Sequence, residues 1–256
     1  MVQEGSKMES SNPTLKNDVF SNARAAIGSG QTMTIQGTIN KTFILFALLL
    51  LVTGWSWNLP IGIKAYLLSF QAMLITFGIC MAIGFVLCRN PQMSPVLAPL
   101  YTAIQGVFVG VVSSLFEQRF PGIVIQAVGL TFAVLFVMLV AYQTGWIQAT
   151  PMVKKCVIIA TIAIMLFYFV VLAAGAFGIH PPAFLYQGSM LGIGFSLFVV
   201  GIATFNLILD FDLIERHSQE GLEKYMEWYG AFALMATLIW LYMEILRLLS
   251  KLNRRN

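Results

Sequence analysis

The fold of this chain is decided by the stretch Gly188-Ser-Met-Leu-Gly-Ile-Gly-Phe-Ser-Leu-Phe-Val-Val-Gly-Ile-Ala-Thr-Phe-Asn-Leu-Ile-Leu-Asp-Phe-Asp-Leu-Ile-Glu215. No charged residue precedes Asp210 in this stretch, and Asp212 follows before the apolar pattern continues through Ile214. About 20 apolar residues in a helix cross a bilayer, so the stretch predicts a membrane span. A carboxylate at membrane depth is costly unless it is paired, hydrated or protonated. Asp210 and Asp212 are therefore the first candidates for a functional role.

The composition of the whole chain indicates a membrane protein. Of the 256 residues, 58% are hydrophobic and only 10% are charged, whereas a soluble domain carries about 25% charged residues. The apolar runs between the charged breaks are continuous rather than alternating, which favours helices over a β-barrel. We predict an all-α membrane protein with seven transmembrane helices.

The order of the apolar runs predicts a polar N-terminal extension at residues 1–40, partly disordered, followed by a seven-helix transmembrane domain at residues 41–252. Connections between the runs are too short to hold a soluble domain. Gly106-Val-Phe-Val-Gly110 places two small residues one turn apart, which predicts close helix packing within the fold. The predicted spans are Thr42–Trp57, Ala65–Leu87, Val96–Phe116, Gly122–Tyr142, Met152–Phe177, Gly188–Ile214 and Glu227–Leu249.

The basic residues lie at the ends of the apolar runs, so we interpret them as topology signals rather than as a nucleic-acid surface. With the N-terminus in the cytoplasm, nine Lys and Arg residues fall on that side and six on the other. This favours a multi-pass membrane protein with a cytoplasmic N-terminus. The basic C-terminal tail argues against an outside C-terminus, and a re-entrant last segment would place both ends in the cytoplasm.

The sequence carries no motif of a known catalytic or cofactor site. A phosphate-binding glycine loop, an HExxH helix and a GxSxG turn are all missing. His180 and His217 fall in different loops, and Cys80, Cys88 and Cys156 form no CxxC pair. We predict no enzyme activity, no cofactor, no metal site and no disulfide. The least favoured alternative, an intramembrane hydrolase, would need two acids that face each other across a water-accessible cleft.

The two aspartates cannot pair with each other, because side chains two residues apart on a helix point about 200° apart. Each would need a partner on another helix. A hairpin turn near Gln219-Glu220 would bring Glu227 to the depth of both aspartates, so we predict a Glu227 carboxylate oxygen within about 5 Å of one of them. Glu244 lies about 26 Å further along the same helix. The alternative for the aspartates is a helix end at the headgroup level, where charge is tolerated.

Glu244 has a local alternative as well. Arg247 follows three residues later in the same apolar run. Residues at this spacing are neighbours on a helix surface, so a simple i,i+3 ion pair is an equally good interpretation of Glu244.

Several segments resemble a known family when they are taken in order. They are Leu207-Ile-Leu-Asp-Phe-Asp-Leu-Ile214, Leu241-Tyr-Met-Glu-Ile-Leu-Arg-Leu-Leu249, Pro99-Leu-Tyr-Thr-Ala-Ile-Gln-Gly-Val-Phe-Val-Gly110 and Phe120-Pro-Gly-Ile-Val-Ile-Gln-Ala127. Together with the seven spans, they resemble the Bax inhibitor-1 / YccA-like proteins, the transmembrane Bax inhibitor motif family, in its bacterial branch. The resemblance covers roughly residues 20 to 250.

The resemblance implies a seven-helix fold around a central seventh helix and a pH-sensitive calcium leak. In such proteins two carboxylates on helices six and seven share a proton and hold a pore closed. Asp210 matches the first of them. The position of the second falls near Thr237 if the seventh helix is registered on Arg247, and on Glu244 if it is registered on the Leu-Tyr-x-acid pattern, whereas the hairpin geometry favours Glu227.

The resemblance also assigns a role to Arg89, which matches a basic position that can latch the carboxylate of helix six. The leading hypothesis is therefore a cation leak in the lipid bilayer, with calcium as the transported ion. The alternative is a regulator without transport activity that binds a membrane protease or another membrane complex. Removal of the N-terminal 40 residues should abolish the function of a regulator and spare a leak.

Overall fold

The computed structural model describes residues 32–178, 182–185 and 187–254. It contains seven long helices, each long and apolar enough to cross a membrane. The predicted all-α fold with seven spans is confirmed. The helices are α1 (Ile35–Trp57), α2 (Phe70–Arg89), α3 (Ser94–Arg119), α4 (Ile123–Gln143), α5 (Pro151–Ala176), α6 (Met190–Gln219) and α7 (Met226–Asn253).

Three helices, α1, α2 and α6, begin or end five or more residues away from the predicted spans. α1 begins at Ile35 rather than Thr42 because the Thr34 side chain caps it, accepting a hydrogen bond from the Gly37 N–H at 2.9 Å. Of the predicted polar extension 1–40, residues 1–31 lie outside the described residues. α6 runs on to Gln219 through the polar residues that sequence reasoning assigned to a turn.

The predicted second span is broken near its start. A short helix, Ile61–Leu67, ends at Leu68, and α2 begins at Phe70. Ser69 caps α2 by accepting a hydrogen bond from the Ala72 N–H at 3.4 Å. The buried Lys64 side chain of the short helix donates a hydrogen bond to the Trp57 carbonyl at 2.7 Å, which satisfies an open carbonyl at the end of α1.

The seventh helix is the centre of the fold, as the family resemblance implies. α7 packs against α1, α3, α4 and α6. It contributes Met235 and Ile239 to one hydrophobic cluster with α1 and α3, and Leu241 and Leu246 to a second cluster with α4 and α6. α2 and α5 lie at the periphery, where α2 buries only Ile83 and Leu87.

Short connections make successive helices antiparallel, so the molecule has two membrane faces. The N face is the one at which α1, α3, α5 and α7 begin and α2, α4 and α6 end. The C face is the opposite one.

The small residues of α3 bring it into close contact with α1, as the spacing of Gly106 and Gly110 predicts. The hydroxyls of Thr53 and Ser56 both donate to the Gly106 carbonyl, at 3.2 and 3.3 Å. A Cβ on Gly110 would overlap the Ser56 hydroxyl and lie 2.5 Å from the Thr53 carbonyl oxygen. Only a residue without a side chain fits this contact.

A carboxylate on α3 fixes the turn into α4. Glu117 accepts hydrogen bonds from the N–H groups of Gly122 and Val124, at 2.6 and 3.1 Å. It supplies a negative charge and two acceptors to a helix N-terminus that would otherwise keep open donors. Gly122 has a φ of 84°, which a glycine adopts without strain.

All three cysteines are free thiols. Cys80 is half-buried, and Cys88 and Cys156 are exposed.

Replacement of Gly110 by Ala should destabilise the fold. The new methyl group meets the backbone of α1, and overpacking of this kind costs about 1–3 kcal/mol. We expect the melting temperature in detergent to fall by several degrees. Gly129→Ala on α4 is the matched control, since a Cβ there meets nothing within 4 Å. Equal melting temperatures for the two variants would contradict the packing argument.

Candidate functional site

Asp210 lies between the sixth and seventh helices. The side chain of Thr237, on α7, is the polar neighbour that faces its carboxylate. The Oδ2 atom of Asp210 is buried and has no hydrogen-bond partner among the described residues. Asp210 therefore carries an open acceptor atom inside the helix bundle.

The position of the turn between α6 and α7 explains why Thr237 reaches Asp210. The connection consists of residues 220–225, because α6 remains helical through His217 and Ser218. Counted outward from this connection, Asp210 comes level with Met235, and Thr237 lies about half a turn further along α7. Sequence reasoning placed the turn at Gln219-Glu220, which shifts the matching position on α7 by about two turns.

Glu227 is buried at the start of α7, but the structure does not bring it to either aspartate. Its Oε1 atom accepts hydrogen bonds from the N–H and the hydroxyl of Thr34, at 3.2 and 3.0 Å. Its Oε2 atom lies 3.9 Å from the Lys41 ammonium group. Glu227 is ten residues from Thr237, or about 15 Å along the helix axis. The predicted contact with Asp210 or Asp212 is therefore not formed, and Glu227 holds the start of α1 instead.

Asp212 points away from Asp210, as the helical geometry requires. Its Oδ2 atom forms ion pairs with Lys154 of α5 at 2.5 Å and with Arg216 at 3.1 Å. The Arg216 pair joins residues four apart on α6. Asp212 is thus ion-paired near the N face, about two turns before the end of α6, while Asp210 faces the interior.

Glu244 is also buried, with 2% of its surface exposed. Its Oε1 atom accepts hydrogen bonds from Arg247 Nη1 at 2.9 Å and from the Tyr168 hydroxyl at 3.0 Å. The guanidinium group of Arg247 also lies 5.1 Å from the centre of the Tyr168 ring. The local ion pair with Arg247 is confirmed. The Oε2 atom of Glu244 has no hydrogen-bond partner among the described residues.

Two further polar contacts link the same three helices. The Asn206 side chain on α6 donates to the Thr161 hydroxyl on α5 at 2.8 Å. The Lys251 ammonium group on α7 is 1% exposed and donates to the Gly192 carbonyl and the Ser196 hydroxyl of α6, at 2.9 and 2.8 Å. A buried lysine of this kind needs such acceptors, because an unsatisfied ammonium group is very costly in an apolar setting.

These polar contacts follow one another at successive levels from the N face to the C face, between α5, α6 and α7. We call them the polar seam. Residue numbers fall along α6 and rise along α5 and α7 from the N face, as antiparallel packing requires. The polar seam consists of Lys154, Thr161 and Tyr168 on α5, Asp212, Asp210, Asn206 and Ser196 on α6, and Thr237, Glu244, Arg247 and Lys251 on α7.

Arg89 does not contact Asp210 in this arrangement. It is exposed at the end of α2, and its guanidinium carbon lies 4.8 Å from the centre of the Phe85 ring. The latch implied by the resemblance is not formed here.

The residues that complete the site carried only weak sequence signals. Thr161, Tyr168, Asn206 and Lys251 were not predicted, and Thr237 was reached only through the register of the seventh helix on Arg247. Within the described ranges, no three His, Cys, Asp or Glu side chains lie together as a metal site would require.

A seven-helix membrane protein with an acid buried between its last two helices is the class that this fold and site define. The sequence model of the family described as Bax inhibitor 1 like matches residues 12–254. The chain belongs to that family. No curated protein and no solved structure matches it in the corresponding searches.

Replacement of Glu227 by Ala should loosen the start of α1. The change leaves the Thr34 N–H and hydroxyl without their acceptor, and hydrogen bonds to charged groups contribute about 1.5–3 kcal/mol. We expect faster hydrogen–deuterium exchange in residues 32–41, measured by mass spectrometry. The control is Glu220→Ala in the exposed connection. Unchanged exchange in the Glu227 variant would show that this carboxylate does not hold the segment.

Proposed function

We propose that this protein is a pH-sensitive cation leak, with calcium as a transported ion and Asp210 as the group that controls it. The carrying observation is the buried Asp210 carboxylate between α6 and α7, with one oxygen atom that has no partner among the described residues. Membership of the Bax inhibitor 1 like family supports the proposal. The proposed location is the inner (plasma) membrane, with the N face in the cytoplasm.

The polar seam supports a route for the ion. Asp210 Oδ2 and Glu244 Oε2 are the carboxylate oxygens that lie buried without a hydrogen-bond partner in the described part of the chain, and both belong to the seam. Calcium prefers oxygen ligands, carboxylates above all. The two acids are thus suitable binding sites for a cation that moves between α5, α6 and α7.

Positive side chains hold the seam closed to cations in the present arrangement. Lys154 forms an ion pair with Asp212 at the N face, and Arg247 forms one with Glu244 nearer the C face. Lys251 adds a buried positive charge beyond Glu244. A cation would be repelled at both ends until these side chains move, so we interpret the structure as a closed state.

The control element differs from a carboxylate pair, because the neighbour that faces Asp210 is the hydroxyl-bearing Thr237. In the proposed mechanism a single acid sets the pH response. Ionisation of an acid at membrane depth is costly. A change in its protonation therefore changes the relative free energies of the closed and open arrangements.

The same geometry disfavours an aspartyl hydrolase. Asp210 faces Thr237, whereas Asp212 is paired with Lys154 and Arg216. The two carboxylates therefore do not face each other, so they cannot hold one water molecule between them as an aspartyl hydrolase does.

Replacement of Asp210 by Asn should remove most of the pH dependence of calcium flux, because the amide cannot ionise at any pH. Purified protein in dye-loaded liposomes gives the flux at several pH values. The control is Glu220→Gln, which removes an exposed carboxylate outside the seam. An Asp210→Asn profile that superimposes on the unmodified protein's would refute the role of Asp210. Absence of flux from the unmodified protein at every pH would favour the regulator without transport activity.

Replacement of Thr237 by Asp tests the same contact from the other helix. Two carboxylates in contact at positions 210 and 237 would couple strongly, since both cannot ionise together in a low dielectric. We expect flux to respond to pH over a different range from that of the unmodified protein, with Thr237→Val as the control of similar size. Identical profiles for the two variants would show that Thr237 does not face the controlling acid.

A further inference from the structure

An apolar groove of about 550 Å³ lies between the two peripheral helices, α2 and α5. It is distinct from the polar seam, whose α5 residues, Lys154, Thr161 and Tyr168, lie about 90° around the helix from those that line the groove. Its walls are apolar side chains, among them Leu74, Phe77 and Met81 of α2 and Ile162, Met165 and Phe169 of α5.

Two contacts set the register of α2 against α5. The Phe70 ring packs against Gly175, where a Cβ would lie 3.1 Å from the ring, and closes the groove toward the C face. The Phe77 and Phe169 rings stack with their centres 6.1 Å apart. Because the helices are antiparallel, the same register carried toward the N face brings Arg89 level with residues 156–157.

Arg89 and Lys155 therefore lie at the same level, beyond the N-face end of the groove. Both side chains are exposed. The neighbouring Lys154 is paired with Asp212, and Lys155 lies about 100° further around α5, on the side of the groove. Neither α2 nor α5 contains an Asp or Glu residue. Two positive charges thus stand above an apolar groove with no acid on either helix.

We propose that this groove and its two basic residues bind an anionic phospholipid from the N-face leaflet. The phosphate lies at Arg89 and Lys155, and an acyl chain enters the groove. Arg89 is about 12 Å from Met81 along α2, at 1.5 Å per residue. Half of the hydrocarbon core is about 15 Å thick, so an acyl chain that starts at Arg89 reaches the groove.

The charges select the lipid class. Basic residues between membrane helices attract anionic headgroups and not zwitterionic ones of zero net charge. The apolar walls require an acyl chain, which a free phosphate ion lacks. The basic residues therefore select an anionic headgroup, and the apolar groove selects an acyl chain.

The test is native mass spectrometry of the full chain, released from vesicles that contain phosphatidylglycerol and phosphatidylcholine in equal amounts. We expect preferential retention of phosphatidylglycerol. The double variant Arg89→Gln, Lys155→Gln should reduce that retention about tenfold or more. The double variant Arg119→Gln, Lys224→Gln removes two exposed charges elsewhere and should retain the lipid.

A second pair of variants tests the groove itself. Gly78 lines it and has open space where a side chain would point. Gly78→Leu should therefore fill the groove and reduce retention without loss of folding. Gly84→Leu, also on α2 with open space, is the control and should behave as the unmodified protein. Size-exclusion chromatography confirms that every variant is folded.

Three outcomes would overturn the proposal. Equal retention of the two lipids would show that charge does not select the ligand. Unchanged retention in Gly78→Leu would show that no acyl chain occupies the groove. Displacement of the lipid by inorganic phosphate at millimolar concentration would show an anion site that does not depend on the acyl chain.

Discussion

The register between α6 and α7 is the constraint on which the rest of the structure depends. It is fixed at residues 220–225, where the Met33 N–H donates to the Leu222 carbonyl at 2.6 Å and the Ser94 hydroxyl donates to the Tyr225 carbonyl at 2.8 Å. α1 and α3 thereby hold the connection on two sides. A shift of one turn would remove Thr237 from Asp210, and it would also bury polar side chains of the seam against apolar neighbours, which is costly.

Charge inside the bundle is distributed so that each carboxylate has a different kind of neighbour. Asp212 meets two cations. Glu227 meets a backbone N–H, a hydroxyl and, at 3.9 Å, the Lys41 ammonium group. Glu244 meets a cation and a phenol. Asp210 meets a threonine side chain. Because no cation of the described residues forms an ion pair with it, Asp210 is the one of these four acids whose charge the fold compensates least. The lack of a cationic partner distinguishes Asp210 from the other acids more clearly than its depth in the membrane span does.

The sequence predicts the features that depend on local pattern and misses those that depend on distant contacts. Apolar runs predict seven spans, and the i,i+3 spacing of Glu244 and Arg247 predicts their ion pair, because both depend on residues close together in the chain. The role of Glu227 could not be predicted in this way. Its partner Thr34 is 193 residues distant, and an error of a few residues in the turn is enough to assign it to the wrong helix.

Thr237 is a second residue whose role depends on a distant contact and could not be predicted from its neighbours in the sequence. A threonine in an apolar helix usually returns its hydroxyl to its own backbone, as Thr102 does with the Ala98 carbonyl at 2.9 Å. Nothing in its immediate sequence distinguishes a threonine that meets an acid on another helix. The polar seam is therefore visible only when three helices are placed together.

The docking of residues 32–34 has a mechanical consequence. Thr32 forms an antiparallel bridge with Glu223, Met33 bonds to Leu222, and Thr34 is held by Glu227. Residues 32–34 are thus joined to the connection between α6 and α7 and to the start of α7 before the chain enters α1. A displacement of this segment would therefore act on the helix pair that encloses Asp210 as well as on α1.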